Sequence, residues 1–243
     1  MKCVHSDTKI KVDLIVDSKD DSTRFRCSHL LYHYGIGDWR FRPLLIAVKL
    51  WAQKLDINDP VDHSLSSHSL TIMVIHYLVA GRPTSVVEDL IKKYPNKFSP
   101  KLSVDNLKFD ALNLNVEELR CSQATKYQES LSELFLGFLS YFGSFDYNKY
   151  GITISGRYNR LDPKLQVTRD FSTKMQHFLV QDPFDHKNAA RAISSENDLD
   201  RVRRAFSSSI AVKDKETDFD HFCLQAIVNK SNIITNECNS KMI

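Results

Sequence analysis

The chain has 243 residues, of which 42% are hydrophobic and 26% are charged, so it carries enough apolar material for one large core or two smaller ones. This composition argues against a largely disordered chain. The formal net charge of +3 is too small to require a polyanionic partner, because a few excess lysines serve solubility equally well. Charge alone therefore decides nothing about function.

The pattern of cysteines and apolar runs indicates the cellular compartment in which the protein is expected. The five cysteines are odd in number, widely spaced and without a CxxC pair, which argues against a disulfide framework and against a structural zinc site. The first residues lack the apolar stretch of a secretory signal, and no run approaches the roughly 20 apolar residues of a membrane span. We therefore expect a soluble protein in the reducing cytoplasm, with no membrane partner.

The first predicted element is a strand at residues 9–16. Its apolar residues alternate from Ile10 onward, which is the pattern of a half-buried strand, and Asp13 points to the opposite face. A carboxylate in that position can ligate a hard divalent cation such as Mg²⁺. A lone aspartate of this kind is more often a solvated strand residue, and the strand pattern does not distinguish the two readings.

Helices are predicted in the middle of the chain. Apolar periodicity indicates helices at 23–34 and 38–55, the second with Asp38 as its N-cap. Ser66 and Ser67 precede a strongly apolar helix that ends before a Gly-Arg-Pro sequence, and either serine can cap it.

The C-terminal part mixes helices with a short strand. A helix is predicted at 122–142, then a strand and turn around Gly156, a Pro-containing turn with a helix opening near Asn188, and a last helix at 199–209. The tail at 210–243 has no clear period and is expected to be disordered.

Six segments occur in an order and at spacings that are specific only in combination. They read KVDLIV, CSHLLYHYGIGDWRFRPLLIAVKLWAQ, INDP, LSSHSLTIMVIHYL, GSFDYNKYGITISGR and VQDPFDHKNAARAI. Together they resemble the non-canonical poly(A) polymerase and terminal uridylyltransferase family, particularly its cytoplasmic poly(A) polymerases, over residues 9–206. The resemblance implies an α+β fold: a mostly helical central domain of the nucleotidyltransferase fold, a small strand element of the PAP-associated region and a remnant of the catalytic sheet.

The resemblance also implies a division of the chain. Residues 1–22 would be the remnant of the catalytic sheet, 23–121 the helical central domain, 122–209 the PAP-associated base-recognition region packed on it, and 210–243 the tail. The family's first two catalytic carboxylates belong to a Gly-Ser element upstream of the KVD strand. We therefore expect an N-terminally truncated catalytic domain in which Asp13 is the only catalytic carboxylate, so the activity of this chain alone is an open question.

Several site residues follow from the resemblance. Asp13 would be a catalytic residue and a metal ligand in nucleotidyl transfer from ATP that depends on two Mg²⁺ or Mn²⁺ ions. Lys49 matches a lysine that contacts the triphosphate. Ser66 and Ser67 match a phosphate-binding helix N-terminus, although helix capping explains them equally well.

Two positions concern the base and the ribose. His68 falls where the family often has a tyrosine that stacks on the base, and an imidazole can stack over a smaller area. Cys27 and Ser28 occupy the place of an Asn-Thr pair associated with the ribose, and Ser28 keeps the hydroxyl. A structural histidine and a small buried cysteine are the alternatives.

The DPFD segment resembles the family's base-recognition motif. Asp182 or Asp185 can accept a hydrogen bond from an exocyclic amine, directly or through water. Uridylyl-selective members carry a histidine just after this loop, where this sequence has Asn188, so the sequence favours adenylyl transfer. A shift of the alignment would bring His186 to that place.

The resemblance leads us to expect an RNA 3′-end nucleotidyltransferase of the cytoplasmic poly(A) polymerase type. The alternatives are an inactive module of that fold that binds RNA, a nucleotide or a partner protein, and a terminal uridylyltransferase. Residues 149–204 hold eleven Lys/Arg against seven Asp/Glu, which makes this half a candidate for contact with the RNA backbone. No sequence signature of a common RNA-binding module is visible, so an RNA-binding adaptor protein is expected to select the RNA.

Overall fold

Most of the regular secondary structure in the described residues is helical, and two small antiparallel hairpins complete it, which confirms the α+β fold. The computed structural model describes residues 2–13, 23–102, 114, 119, 129–159 and 178–213. In chain order the elements are β1 (Lys2–Val4), β2 (Lys11–Asp13), α1 (Thr23–Gly37), α2 (Phe41–Lys54), a 3-10 turn (Pro60–Asp62), α3 (Ser67–Ala80), α4 (Leu90–Lys93), α5 (Leu131–Gly143), β3 (Tyr150–Thr153), β4 (Gly156–Asn159) and α6 (Glu196–Lys213).

The first hairpin pairs β1 with β2, with Lys2 opposite Asp13. The predicted strand is present at Lys11–Asp13, and its predicted continuation lies outside the described residues. Ile10, which was predicted to lie on a half-buried face, is 60% exposed. That part of the prediction was wrong, because a two-stranded hairpin buries little of either face.

The start of α2 differs from the prediction. The helix begins at Phe41, and Arg40 occupies the N-cap position without a side-chain cap bond. Asp38, the predicted N-cap, instead accepts hydrogen bonds from the Arg40 backbone amide at 2.8 Å and from its guanidinium nitrogens at 2.7 and 3.0 Å. This nearly buried ion pair uses the carboxylate that would otherwise have capped the helix.

Helix α3 lies at the centre of the core. Its residues from Ser69 to Val79 are all buried, as expected of a helix that is apolar on every face. Ser66 is the N-cap and its hydroxyl oxygen accepts from the Ser69 amide at 2.9 Å, which confirms the predicted cap. At 14 residues α3 is shorter than a membrane span, and within the described ranges no helix is both long and apolar enough to cross a bilayer.

Aromatic packing joins α2, α5 and α6 to one another, and Phe138 of α5 also contacts Tyr77 of α3. Phe138 and Phe142 of α5 contact Phe206 of α6, and Trp51 of α2 packs on Phe206 as well. The Trp51 indole N–H donates to the Ser209 hydroxyl at 2.8 Å. Helix α6 continues through residues 210–213, so the disordered tail predicted from 210 was wrong at its start, and the rest of the tail lies outside the described residues.

The second hairpin positions a loop that is central to the site. Strands β3 and β4 pair around Gly156, whose φ of +149° suits glycine, in agreement with the predicted turn. Ile152 of β3 exchanges backbone hydrogen bonds of 2.9 Å with Leu179 and Gln181, which adds a short third segment. The loop 182–187 begins where this pairing ends.

The residues that follow the loop form turns, so the helix predicted near Asn188 was wrong. The Asn188 side-chain oxygen accepts from the backbone amides of Val180 and Ala190 at 3.0 and 2.9 Å. An asparagine bonded to nearby backbone groups in this way favours turns over a continuous helix.

A capping box begins α5 and gives a stability prediction. The Ser130 hydroxyl accepts from the Glu133 amide at 3.2 Å, and the Glu133 carboxylate accepts from the Ser130 amide at 2.7 Å. We expect Ser130→Ala to lower the free energy of unfolding by about 1 kcal/mol in urea denaturation. Ser207→Ala, on the exposed face of α6, is the matched control and should change it by less than about 0.5 kcal/mol. Equal losses in the two variants would contradict a role for the cap.

Candidate nucleotide-binding site

Asp182 is the centre of the site, at the start of the loop 182–187. One carboxylate oxygen, Oδ1, accepts from the backbone amides of Phe184 at 2.8 Å and Asp185 at 3.1 Å. The Asp182 backbone amide donates to the Lys187 carbonyl at 2.9 Å, which closes the loop. These bonds fix the orientation of the side chain of a buried residue.

The second oxygen of Asp182 faces α1 and α3. Oδ2 accepts from Nε2 of His68 at 2.6 Å and from the thiol of Cys27 at 3.6 Å. The His68 side chain is 40% exposed, whereas that of Asp182 is 6% exposed. The arrangement therefore places a buried carboxylate oxygen at the edge of a ring that is partly open to solvent.

The surroundings set the protonation of the two acidic groups. Burial acts to raise the pKa of Asp182, but the hydrogen bonds from His68 and from the Phe184 and Asp185 amides outweigh it and hold that pKa below its usual value. Burial, reinforced by the nearby charge of Asp182, raises the pKa of the Cys27 thiol. At neutral pH the site thus contains a carboxylate and a protonated thiol that donates to it.

The N-terminus of α3 adjoins the same loop. The Ser66 hydroxyl donates to the Ala189 carbonyl at 3.1 Å, a contact that ties the helix start to the residues after the loop. Ser67 is exposed and its hydroxyl donates to the Asn58 side-chain oxygen at 3.3 Å. The predicted residues Ser66, His68 and Asp182 are therefore brought together, with Ser67 beside them.

Asn188 lies at the end of the loop and is buried. Besides accepting from two backbone amides, its side chain donates to the Phe178 carbonyl at 2.9 Å. These bonds connect the backbone segments before and after the loop 182–187. Asp185 accepts from the Lys187 amide at 2.9 Å and lies within 3.6 Å of the Lys187 ammonium. Direct contact of Asn188 or Asp185 with a nucleotide stays a prediction.

Within the described residues, neither Ser28 nor Lys49 has a hydrogen bond or ion pair with Asp182. Ser28 is exposed on α1, and its hydroxyl donates to the Arg24 carbonyl at 3.0 Å. Lys49 is half-buried on α2. The backbone of Asp13 ends β2, while its side chain lies outside the described structure. Their roles remain predictions.

Cys27 belongs to the site although the sequence argument chose its neighbour Ser28. It lies at three and seven residues before Leu30 and Tyr34, which are both buried, so it shares their face of α1. Ser28 is rotated about 100° away from that face. Helical periodicity was the signal that could have selected the thiol.

The sequence is similar to those of known proteins. A family model described as Cid1 family poly A polymerase matches residues 130–188, which include the hairpin and the Asp182 loop. Poly(A) RNA polymerase gld-2 homolog A of Drosophila melanogaster is 33% identical over 207 residues, which cover 83% of this chain and 14% of that protein.

Solved structures show the same fold. A GLD-2/RNP-8 complex superposes with a TM-score of 0.68 at 29% identity, over 91% of this chain and 64% of that chain. A cytoplasmic RNA terminal U-transferase superposes with a TM-score of 0.62 at 24% identity, over 80% of this chain and 58% of that one, a likeness of fold. The chain thus spans 14% of the fly relative and 64% of the GLD-2 chain in the complex.

Together the helical core, the β3–β4 hairpin and the Asp182 loop define a protein of the nucleotidyltransferase fold with a PAP-associated region. The chain belongs to the non-canonical poly(A) polymerase family, which includes the GLD-2 proteins.

Proposed function

We propose that this chain takes part in adding adenylates from ATP to RNA 3′ ends. The proposal rests on Oδ2 of Asp182, a buried acceptor 2.6 Å from Nε2 of the partly exposed His68 ring. Two backbone amides that donate to Oδ1 fix the orientation of the carboxylate. A fixed acceptor beside a ring suits a purine base that carries an exocyclic amine. The naming of relatives as poly(A) RNA polymerases supports this function.

Each predicted side chain has a proposed role. Asp182 accepts from the adenine amine and His68 stacks on the base. Ser66 and Ser67 bind phosphate through the backbone amides at the N-terminus of α3, because their hydroxyl protons are donated to the Ala189 carbonyl and the Asn58 side chain. Lys49 supplies a point charge. Ser28 contacts the ribose. Asp185 and Asn188 hold the base-recognition loop in its conformation.

Asp13 is proposed as a ligand of the divalent metal. Its carboxylate is a hard oxygen donor of the kind that Mg²⁺ and Mn²⁺ prefer, so the residue type fits the ion. In such enzymes the bound ions supply electrostatic stabilisation of the attacking and leaving oxygens. Asp13 would supply one ligand atom to such a site.

The proposed partners are an RNA 3′ end and an RNA-binding adaptor protein, and the proposed location is the cytoplasm. A structure of GLD-2 contains RNP-8, which supports a protein partner for this fold. The free thiol of Cys27 is in keeping with a reducing compartment. The division at residues 22, 121 and 209 into catalytic remnant, central domain and PAP-associated region is proposed on the same resemblance.

An incorporation assay tests the function. Wild-type protein, Mg²⁺ and a short RNA are incubated with labelled ATP or UTP, and extension of the RNA 3′ end is measured. We expect adenylate addition that is lost in Asp13→Ala and on chelation of the metal. Asp7→Ala, in the exposed turn of the same hairpin, should keep it. Background incorporation by the wild-type chain would contradict the proposal and favour the inactive, ligand-binding alternative.

The uridylyltransferase alternative depends on His186. This residue lies in the loop 182–187 with a backbone φ of +58°. It is exposed, so its ring is accessible from solvent. Under that alternative, UTP would be incorporated in preference to ATP, and His186→Asn would reverse or remove the preference. Under our proposal, His186→Asn leaves the preference for ATP unchanged.

A further inference from the structure

Three potential metal ligands from distant parts of the chain meet at Asp182. The Cys27 sulfur, a ring nitrogen of His68 and a carboxylate oxygen of Asp182 all lie within 4.8 Å of one another. It is the one such trio in the part of the chain that the structure describes. We propose that these three side chains bind a zinc ion, a property that goes beyond the proposed nucleotidyl transfer. Because Oδ2 of Asp182 and the His68 ring are also the proposed contacts of the base, bound zinc would exclude the base from them.

The distances are close to those of a zinc site. Bonds of about 2.0–2.3 Å to nitrogen, oxygen and sulfur in a tetrahedron place ligand atoms about 3.3–3.7 Å apart. The sulfur and Oδ2 are already 3.6 Å apart. Nε2 of His68 and Oδ2 are 2.6 Å apart and must separate by less than about 1 Å, which a rotation of the partly exposed imidazole provides.

The ligands are oriented in advance by the fold. Oδ1 of Asp182 is held by the Phe184 and Asp185 amides, so Oδ2 is the oxygen presented to an ion. Cys27 lies within α1, and His68 lies in the first turn of α3. Hydrogen bonds that orient a ligating carboxylate are a regular feature of metal sites.

The donor set selects the class of ion. A thiolate with an imidazole suits zinc far better than Mg²⁺, which prefers oxygen alone. Three protein ligands leave the fourth position of a tetrahedron for water. On binding, the Cys27 thiol releases its proton to solvent, and the His68 proton moves from Nε2 to Nδ1 so that Nε2 offers its lone pair.

The spacing of the cysteines argues against a structural zinc site, but spacing along the sequence does not detect this trio. Asp182 lies 155 residues after Cys27 and 114 after His68. Because the ligands belong to α1, α3 and the loop 182–187, a bound ion would cross-link these three parts. The folded state would then gain stability in proportion to the logarithm of the zinc concentration.

Cobalt and zinc titrations of the full 243-residue chain test the proposal. After removal of metals by a chelator, we expect one equivalent of Co²⁺ to give the thiolate-to-cobalt charge-transfer band and the intense visible bands of a tetrahedral site, and Zn²⁺ to displace it. Zn²⁺ should also raise the thermal unfolding midpoint. Cys27→Ser should lose the charge-transfer band and at least about tenfold in zinc affinity.

Two further variants separate ligand loss from damage to the fold. His68→Gln removes a ligand at a partly exposed position, and it should weaken zinc binding by a similar factor while keeping the wild-type circular dichroism. Cys3→Ser, at an exposed cysteine in the first hairpin, should bind like the wild type. A wild-type chain that binds no equivalent of Co²⁺ or Zn²⁺, or a charge-transfer band that persists in Cys27→Ser, would overturn the proposal.

Discussion

Replacing Asp182 by alanine should weaken ATP binding by about 10–100-fold, the factor that corresponds to losing one hydrogen bond to a charged group. The same change removes the acceptor of the Phe184 and Asp185 amides and of His68. Leaving buried donors without acceptors should lower the free energy of unfolding by about 2–4 kcal/mol. Isothermal titration calorimetry and urea denaturation measure the two effects separately.

Asp182→Asn is the matched variant that separates binding from stability. Its remaining carbonyl oxygen can still accept from the Phe184 and Asp185 amides, so we expect a loss of only about 1 kcal/mol in stability. The amide NH₂ in place of Oδ2 cannot accept from the adenine amine, so ATP binding should still weaken. Asp56→Asn, at an exposed left-handed position that asparagine readily adopts, should alter neither quantity. Unchanged ATP affinity in folded Asp182→Asn would exclude the carboxylate from the base pocket.

Acid should destabilise the fold through His76, a buried residue of α3. Its Nδ1–H donates to the Thr153 carbonyl at 2.7 Å, and its Nε2 accepts from the Tyr141 hydroxyl at 2.7 Å, so the ring is held neutral. Burial, assisted by the positive charge of Arg157 and only partly opposed by the bond to Thr153, lowers the pKa of His76 to about 4. The hydrogen bond joins the central helix to the β3–β4 hairpin that carries the site.

The direction of this pH dependence follows from linkage. Between pH 6.5 and 4 the unfolded chain binds the His76 proton and the folded chain does not, so stability falls as the pH falls through this window. We expect His76 to lower the free energy of unfolding by about 3 kcal/mol across this window. The loss is complete below the pKa of His76 in the folded chain and absent above its pKa in the unfolded chain. Urea denaturation at a series of pH values measures it.

Two histidine variants isolate the contribution of His76. His76→Asn can still donate to the Thr153 carbonyl, and it should be less stable at pH 7 but should show a shallower pH dependence between 6.5 and 4. His63→Asn removes an exposed histidine at a left-handed position and should keep the wild-type slope. A wild-type slope in His76→Asn would show that other groups cause the acid sensitivity.

Secondary structure was predictable from the sequence where it depends on interactions between residues close together in the chain. Ser66 caps an apolar run, and Gly156 lies at a turn between alternating residues, so both positions were assigned correctly. Asp38 was misassigned because an arginine two residues later competes for its carboxylate. The helix predicted to begin near Asn188 is absent for a similar reason, since the Asn188 side chain bonds to backbone groups on both sides of the loop 182–187.

The assembly of the site was only partly predictable. The resemblance grouped His68 with Asp182, but their direct contact at 2.6 Å joins residues 114 apart and depends on how α3 packs on the second hairpin. Short sequence patterns do not predict how a helix packs on a distant hairpin. The choice between Cys27 and Ser28 could have been made from helical periodicity, whereas the contact of the thiol with Asp182 could not.

The relative affinity of the wild-type chain for ATP and UTP tests the central claim most directly. Adenine offers an amine donor where uracil has a carbonyl oxygen, which the Asp182 carboxylate would repel. We predict that calorimetric titration with each nucleotide and Mg²⁺ will show ATP bound at least about fivefold more tightly, the equivalent of one net hydrogen bond. Equal affinities, or tighter binding of UTP, would contradict an adenine-selective pocket at Asp182.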